Sequence, residues 1–324
     1  MTHGNPTFIF LLASLLFVSN NGFGFPLFPP CSVQESSEKY IEVTSQGDGF
    51  IAITNKNRIV WISKIGKTVK TENIKGELLN CLAAKEQRVI VAGEKGVIYA
   101  FQNDSSFQKI ESGTTKNINC VALFRNRIIA GTDGGALRIE NDEGLFVNVS
   151  LKLKGNIISL SAETSVCYGI SDRGEIIHST DGLNWILFDF NEVYKGYYKA
   201  CTFSKILVTP IQIAVIGKNT ECQPVLFFSS AGNVWSERQL IYSDEKGFNT
   251  QLSDFPVDIY YDSFKDQFIL VCTNGNLMTI PSCSHCNKFY KISENKLNGI
   301  SGNEKELILV GDSNYVMTLK IDLL

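Results

Sequence analysis

Apolar residues in this chain come in short runs that alternate with polar positions and stop at glycine, aspartate or asparagine. The clearest stretch is residues 167–190, CYGISDRGEIIHSTDGLNWILFDF. It predicts strand, tight turn, strand, tight turn, strand. The turns are Ser171-Asp172-Arg173-Gly174 and residues 179–185. Such residues between alternating runs mark hairpins, because Gly tolerates φ > 0 and Asp bonds its own turn backbone.

The same unit recurs along the chain. Copies lie at 49–63 (GFIAITNKNRIVWIS), 88–101, 127–139, 166–179, 211–230, 268–280 and 307–321 (LILVGDSNYVMTLKI). Superposing them puts Ile53, Gly93, Gly131, Gly169, Gly217, Cys272 and Gly311 at one position, with steps of 40, 38, 38, 48, 55 and 39 residues. A strand precedes most copies (40–43, 79–82, 118–121, 157–160, 257–260, 297–300) and another follows several (107–110, 146–149, 185–188, 289–292). Four short strands repeating every 40 to 45 residues or so are the mark of a propeller blade. The pattern therefore predicts an all-β, seven-bladed β-propeller of four-stranded antiparallel blades, one domain over residues 25–324. No stretch carries a helical period. The last copy has three strands, and residues 31–35 are expected to supply the fourth. Residues 219–223 and 242–256 break the period, and loops on a rigid scaffold are where binding usually resides.

Composition adds a compartment. Residues 8–18 (FIFLLASLLFV) form an apolar run too short to span a bilayer and of signal-peptide length. Small residues Gly22 and Gly24 predict cleavage before Phe25, giving a signal peptide at 1–24 and a secreted product with no membrane span (periplasmic in a bacterium). Net charge is −3 with Lys and Arg scattered, which excludes a basic stripe for nucleic acid. Of nine cysteines, Cys81, Cys120 and Cys201 sit in apolar runs and read as core. Cys31, Cys222, Cys283 and Cys286 sit in loops and are the disulfide candidates. Asn103 and Asn148 open N-glycosylation sequons.

The turn Ser179-Thr180-Asp181-Gly182-Leu183-Asn184-Trp185 resembles the Asp-box of sialidases, sortilin-like receptors and photosystem II assembly-factor propellers. It is one residue shorter between Asp and Gly, a variant associated with the assembly-factor group. The resemblance implies a structural role on the outer side of a blade. Ser179 and Asp181 would bond the turn backbone, Gly182 would supply its dihedrals and Trp185 would pack beneath it. Residues 229–235 occupy the equivalent place one blade later, with Ala231 where Asp belongs.

No catalytic constellation stands out. The sialidase arginine triad has no counterpart: the Arg-Ile-Pro expected near the start is absent, and Arg88 and Arg127 recur at one repeat position, as scaffold residues would. Two carboxylates across a cleft could serve a glycosidase, but nothing in the sequence selects a pair. Cys283-Ser284-His285-Cys286 has metal-ligand spacing without a second half, so a local disulfide between Cys283 and Cys286 is the simpler reading in an oxidising compartment. His178 reads as a packed or surface residue. The expectation is a monomeric, non-catalytic scaffold that holds a protein or glycan partner through loops on one face, with no cofactor and no metal. The alternative is a glycoside hydrolase or sialidase-like enzyme with carboxylates at its centre.

Overall fold

A computed structural model describes residues 38–324 except 103–105, 245, 283–285 and 304. The expected signal peptide, the closing strand at 31–35, Asn103 and Cys283 fall outside the described residues. Among those described, the chain forms seven antiparallel sheets in sequence order, six of four strands and a last one of three, with a separate two-stranded hairpin. It is a seven-bladed β-propeller. The inner strands are Tyr40–Gln46, Leu79–Lys85, Ile118–Phe124, Ile157–Ala162, Cys201–Val208, Pro256–Asp262 and Leu297–Gly302.

The second strand of each blade explains the unbroken apolar runs. Successive strand residues point to opposite faces, and in a ring of blades both faces are buried. In blade 1, Ile51 and Ile53 pack against blade 2, whereas Phe50 and Ala52 pack against blade 7. In blade 6, Phe268 and Leu270 face blade 5, and Ile269 and Val271 face blade 7. Seven apolar cores result, one for each pair of neighbouring blades, including a seventh between blades 7 and 1. That seam is also held by Lys39, which bridges Asp312, and by the Glu38 carbonyl, which accepts the Asn314 N–H at 3.2 Å.

A one-residue bulge recurs at the start of every inner strand. Ile41, Asn80, Asn119, Ile158, Ser204, Val257 and Asn298 are the extra residues. The residue before each bulge faces Thr54, Gly93, Thr132, Ser171, Gly217, Cys272 and Gly311 respectively. This corrects the glycine-based superposition, which is one residue early in blades 1 and 3 and two early in blade 4. The true repeat is 39 residues from Thr54 through Ser171, and again from Cys272 to Gly311. Where this position is Gly93, Gly217 or Gly311, a Cβ would meet the carbonyl oxygen of Leu78, Thr202 or Lys296 at 1.8, 2.2 and 2.0 Å. Close backbone approach, rather than a turn, requires glycine there.

Two interruptions lie on the ring's periphery. Residues 190–198 begin with a one-turn helix, Phe190–Val193; Phe190 and Tyr198 pack edge-on against Phe227, and Tyr194 against Phe190 and Tyr198, in the core between blades 4 and 5. The expected polar insertion at 242–256 contributes most of the extra hairpin, Ile241–Ser243 with Asn249–Gln251.

Candidate functional site

A bulge re-aims the side chains beside it, and here it does so once per blade at the axis. The residues following the seven bulges are Glu42, Cys81, Cys120, Ser159, Lys205, Asp258 and Gly299. Most of them, with Asn80, Asn119 and Asn298, line an axial cavity of about 190 Å³. A second cavity of about 390 Å³, lined by Thr44, Ala83, Ala84, Ala122, Ser161 and Ala162, continues it beyond Val121 and Leu160. The narrow part is charged and amide-lined; the wide part is small and nearly neutral.

Lys205 is the centre of the narrow part. Its Nζ donates to Glu42 Oε1 at 2.8 Å and lies 3.7 Å from Asp258 Oδ1, so blade 5 is tied to blades 1 and 6. Burial alone would lower the ammonium's affinity for its proton, but Asp258 and Glu42 outweigh it and hold Lys205 well above the ordinary lysine range. Asp258 is shifted upward by burial, against the pull of Lys205. The ammonium thus sits between two carboxyl groups from different blades.

Both carboxylates are also bonded on their remaining oxygens. Glu42 Oε2 accepts the Leu82 N–H at 2.7 Å, across to blade 2. Asp258 Oδ2 accepts the Ile300 N–H at 3.0 Å, across to blade 7, while Oδ1 accepts its neighbour Ile259 N–H at 2.9 Å. The asparagines act the same way. Asn80, Asn119 and Asn298 donate Nδ2 to the carbonyls of Ile118, Ile157 and Tyr40 in the next blade, at 3.2, 3.3 and 2.8 Å. Ser159 Oγ accepts the Ile206 N–H at 3.2 Å. The axis is a collar of blade-to-blade fasteners.

Burial disfavours the thiolate form of the collar's cysteines. Burial pushes the thiols of Cys81 and Cys120 far up, and they donate weakly to the carbonyls of Ala92 and Ile157 at 3.6 and 3.7 Å. Cys167, Cys201 and Cys272 are likewise buried, whereas Cys222 is exposed with no disulfide partner among the described residues.

The turn Ser179–Trp185, which resembles an Asp-box, lies elsewhere. Strands alternate in direction, so the turn after a blade's third strand is on the opposite face from the start of its first, where the collar sits. Ser179 Oγ accepts the Gly182 N–H at 2.8 Å and donates to Asp181 Oδ1 at 2.9 Å. Asp181 Oδ1 accepts the Leu183 and Asn184 N–H groups, both at 2.8 Å, and Oδ2 accepts Asn184 Nδ2 at 2.7 Å. These bonds, led by those from Asn184, hold the Asp181 carboxyl well below the usual carboxylate range. Gly182 has φ +79°, and Trp185 Nε1 donates to its carbonyl at 3.3 Å. Blade 5 repeats the frame without an acid: Ser229 Oγ accepts Gly232 N–H at 2.8 Å, and Trp235 Nε1 donates to Gly232 O at 3.1 Å.

Other residues singled out by sequence are scattered. Arg88 pairs with Glu140 at 2.9 Å, and Arg127 with Asp142 at 2.6 Å. The His178 ring stacks on Tyr168 with centroids 5.1 Å apart. Asn148 is exposed on the outer strand Phe146–Ser150. Cys286 is exposed, and its expected partner Cys283 is outside the described residues. Glu42, Lys205 and Asp258 carry no local sequence signal, because only the ring brings them together.

No family model matches the chain, and no curated protein does. Among solved structures, 1427 chains are similar, so the architecture recurs too widely to indicate an activity. One is the crystal structure of the computationally designed Ika8 protein, 9% identical with a TM-score of 0.58, the match covering 89% of this chain and 98% of that one. The likeness is one of fold.

Proposed function

We propose that this protein is a secreted, non-catalytic β-propeller of the Asp-box type that holds a protein or glycan partner through loops on one face. The observation that carries this reading is the engagement of both axial carboxylates. A retaining or inverting glycosidase needs one carboxyl group to donate a proton and another to attack or activate water. Glu42 and Asp258 have both oxygens bonded to backbone N–H groups or to Lys205. The Ser179–Trp185 turn supports the Asp-box relationship. The apolar run before Phe25 supports secretion, and with it a Cys283–Cys286 staple and glycans on Asn103 and Asn148.

The convergence of two carboxylates on the axis favours the glycoside-hydrolase alternative, and turnover separates the two readings. The purified mature protein is assayed on a panel of chromogenic glycosides, beside Glu42→Gln and Asp258→Asn. The scaffold reading expects no hydrolysis above buffer. Hydrolysis by the parent that either substitution abolishes would overturn it.

A further inference from the structure

The insertion that breaks the repeat builds a groove of its own. Strand Ile241–Ser243 of the extra hairpin touches the outer edge of blade 6 at one parallel bridge, Tyr242 with Asn287. Between the hairpin and the blade's outer strand Lys288–Lys291 lies a cavity of about 750 Å³, about four times the axial one. Its volume falls in the range of ligand sites. On its wall Tyr242 and Phe289 stack with centroids 4.4 Å apart and planes 14° off parallel.

The polar lining is selective. Ser243, Asn249 and Asn287 offer a hydroxyl and two amides, and among the described residues Lys288 is the only charged side chain on the wall. Asn287 is 7% exposed, and its Nδ2 donates to the carbonyls of Gln239 and Ile241 at 3.2 and 2.8 Å. Its Oδ1 is buried with no partner among the described residues.

We propose that this groove binds a short oligosaccharide, neutral or acidic. The aromatic wall of Tyr242 and Phe289 packs against the C–H groups of a pyranose, the amides and hydroxyl pair with its hydroxyl groups, and Lys288 accommodates a carboxylate or sulfate. The described wall carries Lys288 and no acid, which disfavours a basic peptide. The site rests on the scaffold reading above and narrows its partner to a glycan.

The test uses the full mature chain on an array of neutral, carboxylated and sulfated oligosaccharides, followed by titration calorimetry with the best binder. Asn249→Ala and Lys288→Ala alter exposed groove residues, and Phe264→Ser, which removes a 71% exposed side chain outside the groove, serves as control. Binding weakened tenfold or more by either groove substitution, and unchanged by the control, supports the site. An array with no binder overturns it, as does binding indifferent to both groove substitutions. Cross-linking of a peptide or protein through Lys288, without saccharide binding, overturns the ligand class. All three leave the scaffold reading standing, because that reading fails only on glycoside turnover lost in Glu42→Gln or Asp258→Asn.

Discussion

Lys205 on blade 5 donates a 2.8 Å hydrogen bond to Glu42 on blade 1, 163 residues away in sequence and on the far side of the axis. Neighbouring blades meet through apolar cores, but this pair joins blades that are not neighbours. With Asp258 and the three asparagines it makes the axis a closed collar. The side-chain exposures, 29% for Lys205, 22% for Glu42 and 7% for Asp258, place the pair in a narrow and partly wet channel.

The seam between blades 7 and 1 gives a first prediction. Asn298 reaches Tyr40 O at 2.8 Å and Asp312 Oδ1 at 2.9 Å, whereas Asn80 makes one longer bond. Asn298→Ala is expected to destabilise by about 1–3 kcal/mol, and Asn80→Ala by less. Urea unfolding of the two variants ranks them, and hydrogen exchange of Asn298→Ala should accelerate first at strands Tyr40–Gln46 and Leu297–Gly302.

Glycine at the inner-strand junction gives a second. A Cβ at Gly93 would sit 1.8 Å from the Leu78 carbonyl oxygen, and backbone cannot step aside as a side chain can. Gly93→Ala is expected to cost about 3 kcal/mol or more, read as the shift in unfolding midpoint.

The Ser179–Trp185 turn gives a pH dependence. Asp181 is held below the ordinary carboxylate range by N–H donors that prefer its ionised form. The folded state therefore favours the carboxylate, and the stability it contributes is present above the unfolded value of about 3.9 and lost as pH falls toward the lower folded value. Asp181→Ala should melt lower than the parent at neutral pH, and the gap should shrink below about pH 4. Thermal melts of both proteins across acid pH measure it, and a pH-independent gap would contradict the mechanism.

The proposed secretion gives a fourth. Asn148 is exposed on an outer strand, where a glycan meets no neighbouring blade. Expression through a eukaryotic secretory pathway should yield a product that loses mass on glycosidase treatment, by less in Asn148→Gln.

Much of the fold was legible because a blade's hairpin is local. Runs such as RVIVAG and FILVC declare a strand buried on both faces, and turn residues declare the reversals. The register was not legible. A bulge has no compositional mark, since Ile41, Val257, Ser204 and three asparagines all occupy it, and the glycines that seemed to mark the repeat drifted by one or two positions. The fifth inner strand, Cys201–Val208, was missed as a blade strand because the Phe190–Val193 helix and its aromatic cluster lengthen the link before it. The collar was invisible for a topological reason. Lys205 within FSKILV looks like a polar residue on an ordinary strand, and only the ring brings it to Glu42 and Asp258.

The most direct measurement is the unfolding free energy of Lys205→Met, alone and combined with Glu42→Gln. Removing the ammonium leaves two carboxylates facing each other in a narrow channel. Breaking a fully buried pair costs about 3–5 kcal/mol, and partial exposure of Lys205 reduces this to about 2–3 kcal/mol. The account predicts that loss for Lys205→Met and partial recovery in the double variant, as for groups held in place to fasten blades. A Lys205→Met protein at least as stable as the parent would contradict it, since charges maintained at the expense of stability are the mark of a working active site.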